Sequence, residues 1–186
     1  MKKGWITRQI EAASPAGFIF WFAVLVVYSF WAFAMNSPWT RAMEAAGGVL
    51  PETKPGIPAI EPVRTLQALG EATGDYIFWQ LLDFPYVVMS FFAAVFGMGL
   101  GLKALRLAQS PLRYLLVLPV IYAVCELVEN AFLASFAAGL VQPAEGVVLV
   151  QQFATTLKFA SGVPASLLGV LGALIALAAF LFRKRP

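Results

Sequence analysis

Residues 118–140 read LPVIYAVCELVENAFLASFAAGL. The stretch is long and apolar enough to cross a bilayer, which takes about 20 residues of helix. Its middle nevertheless carries Glu126, Glu129 and Asn130. These stand at i, i+3 and i+4, so a helix puts all three on one face. A carboxylate at mid-bilayer costs about 2.5–3.5 kcal/mol on insertion scales, and therefore faces protein and finds a partner. The one basic residue inside another apolar segment is Lys158. The expected arrangement sets the Lys158 ammonium against this acidic face, with the helices built around the contact.

The rest of the chain agrees with a membrane setting. It has 186 residues, is 60% hydrophobic and only 12% charged, with a mean hydropathy of +0.79. Soluble domains are about 25% charged, so this chain cannot clothe itself in polar surface. The expected fold is all-α: a four-helix transmembrane bundle in a single membrane domain, residues 1–186. Spans are expected at about 16–34, 84–102, 115–140 and 147–182, with an outer loop over 36–82.

Taken in order, residues 1–14 are short, basic and amphiphilic, with Trp5 and Ile10 available to a membrane surface. Ala32-Phe33-Ala34 resembles a signal-peptidase site, but the apolar run before it is span-length, which predicts a retained first helix. Ser14-Pro15 supplies an N-cap and a proline at the first helical position. The first span is crowded with aromatic residues, which suits lipid-facing and interfacial packing. In the long loop, Pro38, Pro51, Pro55, Pro58 and Pro62 predict an extended start. From Val63, Leu66, Leu69, Tyr76 and Trp79 recur at helical spacing, predicting an interfacial amphipathic helix that feeds the second span. Asp83-Phe84-Pro85 reads as the cap and first turn of that span. Within it, Gly97 and Gly101 form a small-xxx-small pair that permits close helix approach. Ser110-Pro111 opens the third span. Gly162 and Pro164 predict a kink in the fourth.

Charge placement orients the chain. Lys2, Lys3, Arg8, Lys103, Arg106, Arg113, Arg183, Lys184 and Arg185 belong to the termini and the second turn, against Arg41, Lys54 and Arg64 in the other two loops. The positive-inside rule then makes both termini cytoplasmic, with the long loop outside an inner (plasma) membrane. The net charge of +3 is spread over span ends and forms no nucleic-acid patch. Cys125 is the only cysteine, which excludes an intrachain disulfide, and there is no histidine. The lack of histidine removes the commonest metal and haem ligand, so no metal or cofactor is expected. The expected partners are membrane lipids, with another membrane protein as the second kind.

Counting from the loop between spans three and four, Glu129 and Lys158 each lie eleven residues in, about 16 Å at helical rise. Two antiparallel neighbours would thus bring the opposite charges to one depth. Gln151, Thr155 and Ser161 align with Lys158, Tyr122 aligns with Glu126, and Tyr86 and Ser90 could point the same way. The candidate ligand-binding set is Tyr86, Ser90, Tyr122, Glu126, Glu129, Asn130, Thr155, Lys158 and Ser161. The candidates for a catalytic role are Glu126, Glu129 and Lys158. A buried ion pair can also serve only to lock helix register.

The order of these features resembles a widespread group of uncharacterised small bacterial four-span proteins. The resemblance rests on LQALGEATGDYIFWQLLDFPY (residues 66–86), CELVEN in span three and TTLKFAS in span four. In that group an L-x-x-L-G-E segment leads to a tyrosine, then to an Asp and Pro helix start with a following Tyr. An acidic-x-x-Glu-Asn follows in span three and a lysine in span four. The group usually has aspartate where this chain has Glu126, arginine where it has Asp75, and a longer Asp-to-Pro spacing than Asp83 to Pro85. The resemblance implies the architecture and a site at Glu129, Asn130 and Lys158, but no reaction. A fainter likeness is to sterol-isomerase-like four-span proteins, which keep acidic residues in a membrane cavity. The functional expectation is a small lipid-binding or accessory membrane subunit. The alternatives are a membrane enzyme using a glutamic acid as general acid on a lipid or isoprenoid, and then a proton-coupled carrier.

Overall fold

The computed structural model describes residues 4–34, 37–53 and 60–183. Lys2, Lys3, Asn36, Lys54, Pro55, Pro58, Lys184 and Arg185, used above, lie outside the described residues. Among those described, all regular structure is helical. In chain order the helices are α1 (Trp5–Ala12), α2 (Pro15–Ala34), α3 (Pro38–Ala45), α4 (Ile60–Ala68), α5 (Thr73–Ala104), α6 (Val117–Ala137) and α7 (Glu145–Arg183). Short 3₁₀ turns cover Pro51–Thr53, Gly70–Ala72 and Pro111–Leu116. Four stretches are long and apolar enough to cross a membrane: Pro15–Phe33, Gly70–Ala104, Pro111–Ala137 and Glu145–Phe182. The aromatic first of these keeps little of itself inside the protein, with Phe20, Phe30 and Trp31 all more than half exposed. That is the behaviour of a helix meant to meet lipid.

The chain folds into two compact units. One takes the residues up to Val26, Val88–Tyr122, and those from Ser161 onward. Its core joins Ile10, Val95, Met98, Leu102 and Leu116. Ile10 is therefore buried, only 3% exposed, and not offered to a membrane surface as its amphiphilic setting suggests. The Lys103 ammonium holds α1 in place by donating to the carbonyls of Glu11 (2.8 Å) and Ala13 (2.7 Å), which lie where a helix C-terminus wants a cation. Ser14 Oγ accepts from the Gly17 amide at 3.1 Å, as an N-cap should. The Gly97 and Gly101 pair meets Gly169 and Gly172 of α7. A Cβ on Gly97 would lie 2.2 Å from the Gly169 carbonyl oxygen, and one on Gly101 2.6 Å from Gly172 Cα. α7 runs unbroken through Gly162 and Pro164. Gly162 leaves room for the Tyr122 ring, whose Cδ2 a Cβ would approach to 2.5 Å.

The other unit takes Val27–Val87 and Ala123–Ala160. Its core is Ala42, Leu50, Leu69, Tyr76, Leu133, Phe136 and Val148. Three of these, Ala42, Leu50 and Leu69, come from the connection between α2 and α5, so its described parts include packed structure. Ser37 caps α3 by accepting from the Thr40 amide at 3.2 Å. Arg41 grips Asp75 with two hydrogen bonds of 2.8 and 2.5 Å. Phe33 meets Trp39, Trp79 and Tyr86 edge-on, at centroid distances of 4.8–6.3 Å.

Two expected boundaries move. The helix expected from Val63 is broken by the turn at Gly70–Ala72, where Gly70 has φ +51°. Its second half is already part of α5, so the second long helix starts at Thr73 and not near 84. Asp83 consequently stands inside a helix, where no capping role exists, and Pro85 is an internal proline. The third span enters through the 3₁₀ turn at Pro111–Leu116. There the Ser110 hydroxyl donates back to the Leu107 carbonyl at 2.8 Å and does not cap.

Candidate functional site

The polar side chains singled out in α6 and α7 converge within the second unit. Lys158 Nζ donates to Glu126 Oε1 at 3.1 Å and forms a second ion pair with Glu129 Oε2. Both carboxylates project from one face of α6, one turn apart, as the i, i+3 spacing requires. Glu129 is completely buried; Lys158 and Glu126 are 7% and 6% exposed. Glu129 Oε1 accepts from the Thr155 hydroxyl and from Gln151 Nε2 (3.3 Å), and Gln151 Nε2 also reaches Thr155 Oγ1 at 2.9 Å. Gln151, Thr155 and Lys158 follow at i, i+4 and i+7 on α7. One face of α7 therefore supplies every partner of Glu129 named here.

Asn130 turns to α5, donating through Nδ2 to Asp83 Oδ2 at 2.9 Å. The Asp83 carboxyl lies within interaction range of Glu126. Asp83 is only 8% exposed and belongs to the site.

The fourth carboxyl comes from the connection between α2 and α5. Glu52 Oε2 accepts from the Tyr76 hydroxyl at 2.9 Å, Glu52 Oε1 accepts from Gln80 Nε2 at 3.0 Å, and the Glu52 carbonyl oxygen lies 3.5 Å from Lys158 Nζ. Burial pushes the Glu52 carboxyl up to about 7, and the Glu129 charge adds to this. The backbone and Tyr76 hydrogen bonds and the Lys158 ammonium pull the other way. The neighbouring Pro51 and Leu50 are buried, so the turn that carries Glu52 is wedged into the unit.

The cluster thus has four carboxyls, Glu52, Asp83, Glu126 and Glu129, and one ammonium, Lys158. It is rich in acceptors. Gln80 Oε1 and Gln151 Oε1 are buried and meet no donor among the described residues. No set of three histidine, cysteine, aspartate or glutamate side chains with metal-binding geometry occurs among the described residues.

Of the candidate set, Glu126, Glu129, Asn130, Thr155 and Lys158 come together. Tyr86 belongs to the same unit, within electrostatic range of Asp83, Glu126 and Lys158. Ser90, Tyr122 and Ser161 belong to the other unit, where Ser90 Oγ and Tyr122 Oη lie 3.5 Å apart. Sequence reasoning missed Tyr76, Gln80 and Glu52 as site residues and gave Asp83 a capping role. Tyr76, Gln80 and Asp83 did leave a signal, since i, i+4 and i+7 is one helical face. Glu52 left none: it is a single acid in a proline-rich run.

Searches of protein-family models, of curated proteins and of solved structures return no match for this chain.

Proposed function

We propose that the chain is a small multi-pass inner-membrane protein of the bacterial four-span type that binds a lipid headgroup or accompanies another membrane protein through the Glu126, Glu129, Asn130 and Lys158 centre. Four apolar helices and a buried Lys158–Glu126–Glu129 bridge support the membrane reading. The distribution of lysine and arginine supports cytoplasmic termini.

The observation that carries the proposal is the imbalance of the network. Locking the register of two helices takes one ion pair. Three buried carboxyls and the half-buried Glu52 with one ammonium, and two glutamine oxygens lacking donors against one unmatched amide donor, Gln152 Nε2, among the described residues, go beyond that need. Such a site suits a ligand that brings N–H or O–H groups, as an amine or polyol headgroup does. Native mass spectrometry after extraction in mild detergent tests this. A retained lipid of that headgroup class, lost in Glu129→Gln while the protein still folds, is the expected result. A stoichiometric protein partner would instead select the accessory role. A bare monomer with no lipid at any detergent dose would refute both.

A second reading is an enzyme on a lipid or isoprenoid, and the gathering of three buried acids, Asp83, Glu126 and Glu129, with one lysine favours it. Neighbouring carboxyls in a dry site are the setting in which a general acid is built. On that reading Glu126→Gln abolishes turnover and leaves lipid retention intact.

A further inference from the structure

The first unit contains a second feature, separate from the polar centre. A cavity of about 190 Å³ is lined almost wholly by apolar groups, among them Met98, Leu102, Leu105, Leu107, Leu112 and Leu168. Three cations interleave with this lining along the chain: Lys103 beside Leu102, Arg106 between Leu105 and Leu107, and Arg113 beside Leu112. Lys103 is engaged by the two carbonyls at the end of α1. Arg113 is held in place by Gln109 Oε1 and Tyr114 Oη, both at 3.2 Å, with its guanidinium 5.1 Å from the Tyr114 ring centroid. Arg106 is exposed.

Arg106 supplies an independent observation. It ends α5 in a Schellman turn, with the Leu107 amide donating to the Leu102 carbonyl at 2.8 Å and the Arg106 amide to the Lys103 carbonyl at 3.1 Å. The residue in its place adopts the left-handed region, here φ +61°, and is normally glycine. A Cβ crowds the following carbonyl in that conformation. Arg106 is the one non-glycine residue with positive φ among those described. Strain of this kind persists where the residue has a use, and the residues on either side of Arg106, Leu105 and Leu107, both line the cavity.

We propose that the cavity takes an acyl chain of an anionic phospholipid, with Arg106 and Arg113 binding its phosphate. The lining recognises hydrocarbon and offers nothing to a headgroup. The volume admits part of one chain. Guanidinium groups match phosphate oxygens in a two-pronged way that ammonium cannot. An anionic lipid gains where a zwitterionic one does not, because its phosphate charge has no ammonium of its own to offset it.

The full-length protein in mild detergent, offered phosphatidylglycerol and phosphatidylcholine of identical acyl chains, tests this by native mass spectrometry. The expected result is preferential retention of phosphatidylglycerol, with a loss of about five-fold for each arginine removed, the scale of a single basic residue acting on an anionic lipid. Arg106→Gly is the informative variant. Glycine relieves the left-handed backbone, so thermal stability should hold or rise while the lipid preference falls. Arg106→Gly with Arg113→Gln should erase it. Equal retention of the two lipids by the wild type would overturn the proposal, as would an unchanged preference in the double variant. Glycerophosphate without acyl chains competing as strongly as the lipid would remove the role of the cavity.

Discussion

Tyr76 donates its hydroxyl to Glu52 at 2.9 Å, tying the start of α5 to the connection that precedes it. The bond holds a carboxyl whose pKa is pushed up to about 7 by burial. An unfolded glutamate titrates near 4.3. Between those values the folded protein carries a proton that the unfolded chain has lost. Stability from this group is therefore full at low pH, falls as pH rises toward about 7 and is flat above. The expected loss is on the order of 1–3 kcal/mol. Thermal unfolding in detergent at pH 5 and pH 8 measures it, and Glu52→Gln should flatten the difference between them. Tyr76→Phe removes a bond that favours the charged form, and should move the fall to higher pH.

Lys158 serves two carboxylates at once. Lys158→Met leaves both buried without a cation, which costs about 3–5 kcal/mol. Adding Glu129→Gln should recover a large part of that loss, because the remaining network has less uncompensated charge. A double-mutant cycle on unfolding midpoints checks the coupling. Additive losses would show that the ion pair contributes nothing of its own.

The Asn130–Asp83 bond links α6 to α5 through two nearly inaccessible side chains. Asn130→Ala strands a buried carboxyl oxygen and should cost about 1–3 kcal/mol. Asp83→Asn keeps an acceptor in place and should cost less. Were Asp83 merely a surface cap, the two substitutions would be equally mild.

The glycines of the first unit are not equivalent to those elsewhere. Gly97→Ala puts a methyl group 2.2 Å from a backbone oxygen of α7 that has no side chain to swing away. Overpacking of this kind costs about 1–3 kcal/mol. Gly146, within the first turn of α7, has nothing within 4 Å of its Cβ position. Gly146→Ala should be neutral or stabilise by up to about 1 kcal/mol. Expression level and unfolding midpoint of the pair separate the cases.

Much of this was legible in the chain because apolar helices expose their exceptions. Glu126, Glu129 and Lys158 are conspicuous in hydrocarbon-like sequence, and matching their distances from the α6–α7 loop pairs them before any coordinates exist. Asp83 was harder. An acid two residues before a proline has a ready local explanation as a helix cap, and only the earlier start of α5 removes it. Ile10 misled in the same manner, since an amphiphilic helix packs its apolar side equally well on membrane or on protein. Glu52 was invisible, because nothing local distinguishes an acid that turns inward from one that faces water. Its place depends on Tyr76, Gln80 and Lys158, which are 24 to 106 residues away.

The length of α7 bears on what insulates the ion pair. Its 39 residues extend roughly 58 Å, against about 30 Å of hydrocarbon. Even at the steepest tilt usual for such helices, about 40°, roughly a dozen residues must stand clear of the acyl region. Residues 160–182 contain no charged side chain, whereas Glu145 and Lys158 both fall in the first part of the helix. Lys158 is only 7% exposed within the protein itself, so its dryness is made by polypeptide. A thinner or thicker membrane would leave that insulation intact, whereas clipping the wedge at Pro51–Thr53 would let water in.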